Sequence, residues 1–132
     1  MAKQGPSASI ERVKLLIDHH FAQRLSTSSL ARAANLSRYH FIRRFQAAVF
    51  ETPHRYLMRR RIEQAKLLLA TTEMPVTEIC FEVGFESLGS FSYLFRREVG
   101  FAPSVYRARC YEQRANPQRF IPNCLARVLH YT

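Results

Sequence analysis

The feature that most constrains this chain is that it repeats itself. Phe41, Phe45, Val49, Pro53 and Tyr56 recur as Phe91, Phe95, Val99, Pro103 and Tyr106, each pair 50 residues apart. Just upstream, Ala31, Ala34, Asn35 and Leu36 match Cys80, Val83, Gly84 and Phe85 at a separation of 49, so the second copy has one more residue in the intervening turn. A fixed period of this kind marks one supersecondary unit used twice. Within each copy the apolar residues fall at three- and four-residue steps, the period of a helix face. Asn35 and Gly84 stand where a positive φ would end the first helix of the unit. A short helix, a tight turn and a longer helix with a free polar face make a helix-turn-helix.

The rest of the chain reads as helix around this repeat. Residues 1–8 are small and polar and are expected to be a flexible N-terminus. Behind Ser9 as a possible cap, Ile10, Val13, Ile17 and Phe21 mark a first helix. The first helix-turn-helix spans about 26–50, with Leu30, Ala31 and Ala34 inside its short helix and Phe41, Phe45, Ala48 and Val49 as the buried stripe of the longer one. Thr52 and Pro53 then start a linker helix over about 53–70, roughly 27 Å long, with Met58, Ile62, Ala65 and Leu69 as its apolar stripe. The second helix-turn-helix spans about 75–99, opening at Pro75 and resuming from Ser90 to Val99. With no alternating strand pattern between them, the fold class is all-α, about seven helices, in two subdomains joined by the linker. The tail, 110–132, carries Pro117, Pro122 and the apolar Cys124, Leu125, Val128 and Leu129, and is expected to cover an apolar face or contact a partner.

Charge narrows the partner. Twenty Lys and Arg face ten Asp and Glu, a net charge of +10, and such an excess points to a polyanion, nucleic acid ahead of an anionic membrane. It is unevenly spread: residues 1–72 hold thirteen basic and four acidic residues, whereas residues 73–112 hold four and six. No apolar run approaches the length that spans a bilayer, and the start lacks a secretory signal, so a cytoplasmic protein is expected. Cys80, Cys110 and Cys124 form no close pair, and His19, His20, His40, His54 and His130 show no ligand spacing. Neither a metal nor another cofactor is expected, and no small-molecule site is evident. Paired carboxylates, a nucleophile motif and a phosphate-cradling glycine loop are all missing, which argues against an enzyme.

The outward face of the longer helix in the first copy carries the chemistry. Tyr39, Ile42, Arg43 and Gln46 are candidates to read bases there, since arginine held bidentate to guanine is the commonest specific contact. Ser90, Ser92, Tyr93 and Arg96 are the candidates in the second copy, a sparser set beside Gly89. Arg38, Arg44, Arg55, Arg59, Arg60, Arg61, Arg97 and Arg107 are candidates for phosphate. A merely solvated face would mix Glu and Lys. Two alternatives stay open: duplicated hairpins that only complete a bundle, and a basic RNA-binding or structural module without sequence specificity. The narrow major groove of duplex RNA disfavours a helical reader.

From Ile79 to Arg107 the second copy reads ICFEVGFESLGSFSYLFRREVGFAPSVYR, and the first reads LARAANLSRYHFIRRF. These segments resemble the DNA-binding domain of the AraC/XylS family of bacterial transcription regulators. Val83, Gly84, Phe85, Ser90, Phe91, Phe95, Arg96, Gly100, Pro103, Tyr106 and Arg107 stand where the family pattern places them, and the likeness covers about residues 9–109. It implies homeodomain-like three-helix units that insert their recognition helices into major grooves on one face of the DNA, where grooves recur about every 34 Å. Double-stranded DNA is the implied partner, bound by a monomer at an asymmetric site, with RNA polymerase a further candidate and a nucleoid location. Departures lie in the second copy: Leu88 and Gly89 replace longer polar residues of some members, and Cys80 stands where Ala is common. Many members carry an effector domain ahead of this one, so a stand-alone regulator and a piece of a longer chain are both compatible with the sequence.

Overall fold

A helix leaves its first N–H groups without partners, and serine oxygens can supply them. Ser26 Oγ accepts from Ser29 N at 3.0 Å while Ser29 Oγ accepts from Ser26 N at 3.1 Å, a reciprocal capping box. Ser37 and Ser87 cap the next helix of their copies by accepting from His40 N at 3.3 Å and Ser90 N at 3.2 Å. The computed structural model describes residues 6–116. They form α1 (Pro6–His20), α2 (Thr27–Ala33), α3 (Arg38–Val49), α4 (Pro53–Thr71), α5 (Val76–Glu82), α6 (Leu88–Val99) and α7 (Pro103–Ala115). The protein is all-α, with no strand among the described residues.

The chain divides between Arg61 and Ile62 into two units. In the first, α1 and α2 both pack on α3. Its core holds Ile10, Val13 and Ile17 from α1, Leu30, Ala31 and Ala34 around α2, Phe41 and Phe45 from α3, and Tyr56 and Leu57 from the start of α4. In the second, α6 packs against α5 and α7, and Ile62, Leu69, Ile79, Cys80, Val83, Phe91, Phe95 and Cys110 are among the buried side chains. The repeat holds at ring level. Phe41, Phe45 and Tyr56 stack edge to face or tilted with centroids 5.8 and 5.7 Å apart, and Phe91, Phe95 and Tyr106 do so at 5.7 and 5.5 Å. Such offset contacts add about 0.5–1.5 kcal/mol per pair to the burial itself.

The turns follow the expected chemistry. Asn35 and Gly84 take φ of 56° and 105° after α2 and α5, and the second turn is the longer by one residue. Both α3 and α6 end on a left-handed residue as well, Phe50 at φ 67° and Gly100 at φ 92°.

Two expectations are corrected. Pro6 already opens α1, so Ser9 lies inside the helix and residues 6–8 belong to it; proline suits a first helical position because its missing N–H would have no partner there. Ala48 is exposed, since the core-facing residues Phe41, Phe45 and Val49 step by four, advancing about 40° each time, and the stripe drifts off Ala48. Helix α7 runs on past residue 109 to Ala115. Helix α4 is the expected linker and also carries core residues. Its Ile62, Ala65 and Leu69 stand 52 residues after Ile10, Val13 and Ile17 of α1, and all six are buried, so its second half serves the second unit as α1 serves the first. The apolar tail residues Cys124, Leu125, Val128 and Leu129 lie outside the described residues.

Candidate nucleic-acid interface

Because Phe41 and Phe45 are fully buried, α3 has one rotational setting and its opposite face turns outward. Arg38, Tyr39, Arg43, Arg44 and Gln46 are exposed, Tyr39 to 64%. Arg43 Nη1 donates to Tyr39 Oη at 3.0 Å, and the same guanidinium lies 5.5 Å from the Tyr39 ring centroid. Ile42 behaves differently: it is half-buried and packs on the core, so the sequence's base-reading assignment to it gives way to a packing role. At the start of the helix Ser37 Oγ lies 2.9 Å from His40 Nδ1.

The same construction recurs in α6, where Phe91 and Phe95 are buried and Ser90, Tyr93, Arg96 and Arg97 are exposed. Ser87 Oγ donates to Ser90 Oγ at 2.9 Å. Ser92, 50 residues after Ile42, is likewise half-buried. Tyr39, Arg43 and Gln46 correspond to Gly89, Tyr93 and Arg96, so the two outward faces share a scaffold and differ in chemistry. Cys80 is buried with its Sγ 3.4 Å from Ser87 O, and desolvation pushes its thiol above the usual cysteine range.

The phosphate candidates separate into two groups. Arg38, Arg44 and Arg97 are exposed, and the Arg55 side chain is 62% exposed at 3.9 Å from Glu51. The others are engaged inside their own units. Arg59 Nη2 donates to Glu51 Oε1 at 2.6 Å and its guanidinium lies 5.2 Å from the Tyr56 centroid. Arg60 Nε donates to Asp18 Oδ1 at 2.9 Å. Arg61 is only 7% exposed and donates to the carbonyls of Phe21 at 2.6 Å and Gln23 at 2.9 Å, between α1 and α2. In the second unit Arg107 donates to the carbonyls of Leu69, Thr72 and Met74. For Arg61 and Arg107 the expectation of phosphate contact is therefore replaced by an internal tie. Tyr111, 50 residues after Arg61, donates to Thr72 O at 2.6 Å, which extends the repeat to these ties.

Sequence reasoning missed the centre of the first set. Tyr56 Oη donates to Asp18 Oδ1 at 2.8 Å. Its phenol is held well above the ordinary tyrosine range, first by burial, then by the bond to Asp18 and that carboxylate's charge, with Arg60 and Arg59 opposing. Asp18 lies 38 residues from Tyr56, beyond any local pattern; only the shared period of Tyr56 and Tyr106 marked the position.

Among the described residues no helix is long and apolar enough to cross a membrane, and no three His, Cys, Asp or Glu side chains are grouped to hold a metal. Two capped, Phe-anchored helices presenting Arg, Tyr and Gln define the class: a tandem helix-turn-helix protein. The comparisons agree. A family model described as a helix-turn-helix domain matches residues 30–109. The regulatory protein SoxS of Salmonella typhimurium is 36% identical over 93 residues, covering 70% of this chain and 87% of SoxS. The probable transcriptional regulator LumQ of Photobacterium leiognathi is 32% identical, but the chain spans only 42% of its length. Among solved structures, the DNA-binding domain of the global transcriptional factor AdpA, in complex with a target DNA, shares 31% identity at TM-score 0.76, covering 84% of this chain and 98% of that one. The C-terminal domain of the response regulator AraT from Geobacillus stearothermophilus shares 30% at TM-score 0.75, covering 80% and 88%. The chain belongs to the AraC family of helix-turn-helix transcription regulators.

Proposed function

We propose that this protein binds double-stranded DNA in a sequence-specific manner and regulates transcription, with α3 and α6 entering successive major grooves. The observation that carries the reading is the exposed Tyr39–Arg43 pair on a helix whose opposite face is locked by Phe41 and Phe45. Arg43 and Gln46 read bases in the first unit, where Tyr39 is bonded to Arg43; Ser90, Tyr93 and Arg96 do so in the second, with Ser92 at the margin. Arg38, Arg44, Arg55 and Arg97 contact phosphate, Arg59 and Arg60 are bound to Glu51 and Asp18, and Arg61 and Arg107 are internal ties, each within its own unit. The protein acts by binding and not by catalysis. It binds as a monomer, because the duplication supplies two readers from one chain, and it works in the cytoplasm at the nucleoid, with RNA polymerase as a further partner.

Binding assays on a preferred duplex, a scrambled duplex and a duplex RNA test the reading. Arg43→Ala should cost about 1–3 kcal/mol on the preferred DNA and little on the scrambled one. Equal losses on both would make Arg43 a phosphate contact, and equal parental affinity for duplex RNA would favour a nonspecific basic module.

A further inference from the structure

We propose that Tyr39 is a positioning residue for Arg43, a role resting on the base-reading function proposed above. An arginine on an exposed helix face samples many rotamers, and a side chain that must be ordered on binding loses affinity and selectivity. Here the guanidinium is held twice over by one neighbour a helical turn earlier: Nη1 donates to Tyr39 Oη at 3.0 Å, and the group lies 5.5 Å from the ring centroid, within cation–π range. Guanidinium carries five N–H donors, so the bond to Tyr39 leaves enough for a bidentate contact to guanine. The phenol spends its acceptor on Arg43 and keeps its own O–H to donate outward.

The second unit supplies the comparison. Tyr93 occupies the position of Arg43, and Gly89 that of Tyr39. A Cβ added at Gly89 would meet nothing within 4 Å. The first unit therefore presents a fixed reader and the second a looser one on the same scaffold, which predicts unequal stringency in the two half-sites.

The test is a double-substitution cycle read at the base pair where Arg43→Ala reduces the parent's discrimination most while leaving some of it measurable. Tyr39→Phe keeps the ring and removes the hydroxyl. It should lower discrimination at that pair by about 2- to 10-fold, the value of one net hydrogen bond, leave the melting temperature and salt slope unchanged, and do nothing further in the Arg43→Ala background. Parental discrimination in Tyr39→Phe, or an undiminished loss in the Arg43→Ala background, would overturn the positioning role while leaving Arg43 as a reader. An Arg43→Ala protein with every base preference intact would overturn both. Transplanting the pair gives a gain-of-function arm: Gly89→Tyr with Tyr93→Arg should create a guanine preference in the second half-site stronger than Tyr93→Arg alone, and equal preferences would contradict the proposal.

Discussion

Arg44 and Arg61 are the same residue type in one unit, and their environments assign them different work. Arg44 stands exposed on α3, whereas Arg61 is 7% exposed with its guanidinium on two backbone carbonyls. Replacing Arg61 by Ala leaves the carbonyls of Phe21 and Gln23 without their donor, and unfolding free energy should fall by about 1–3 kcal/mol, the usual cost of a buried polar group left unmatched. Denaturant melts would show this, and the salt dependence of DNA binding should not move. Arg44→Ala should do the reverse, leaving the melt unchanged while weakening binding to every duplex. A lowered salt slope with an intact melt in Arg61→Ala would return that residue to the phosphate contacts. The difference between the two was not legible in the sequence, because it depends on partners such as Phe21, 40 residues away. A count of basic residues carries sign but not direction.

Elements were far more legible. The apolar period located α2, α3, α5 and α6, because apolar residues at helical steps are a local signal that needs no knowledge of the rest of the fold. Helix α4 shows where that local logic ends. Its apolar stripe was visible, but its division between two cores was not, since the match of Ile62, Ala65 and Leu69 to α1 runs at 52 residues and not at the 50 of the main repeat. The recognition helices depend on their inner faces: Phe41, Phe45, Phe91 and Phe95 are fully buried, and Phe→Ala at any of them should cost about 3–5 kcal/mol. Hydrogen exchange should show the loss confined first to the unit that carries the substitution. Variants that melt like the parent yet fail to bind DNA would instead place those rings on the surface.

At the scale of the molecule, composition alone concealed an asymmetry. The thirteen basic residues of 1–72 against four acids, compared with four against six in 73–112, place most of the positive charge in the first half, and Arg38, Arg44 and Arg55 are exposed members of it among the phosphate candidates. Neutralising those three should lower the slope of log affinity against log salt by about 0.9 for each true contact, and neutralising Arg96 and Arg97 by less per residue. A larger loss per residue from the second set would contradict this division of labour. The claim beneath it, that two unequal readers on one chain recognise a defined duplex, is tested most directly by selecting bound sites from a pool of random DNA duplexes with the parent protein and with Arg43→Ala. The parent should enrich an asymmetric site of two blocks about 10 bp apart, and Arg43→Ala should erase preference within one block only. No enrichment, or a single block unaffected by Arg43, would contradict the account.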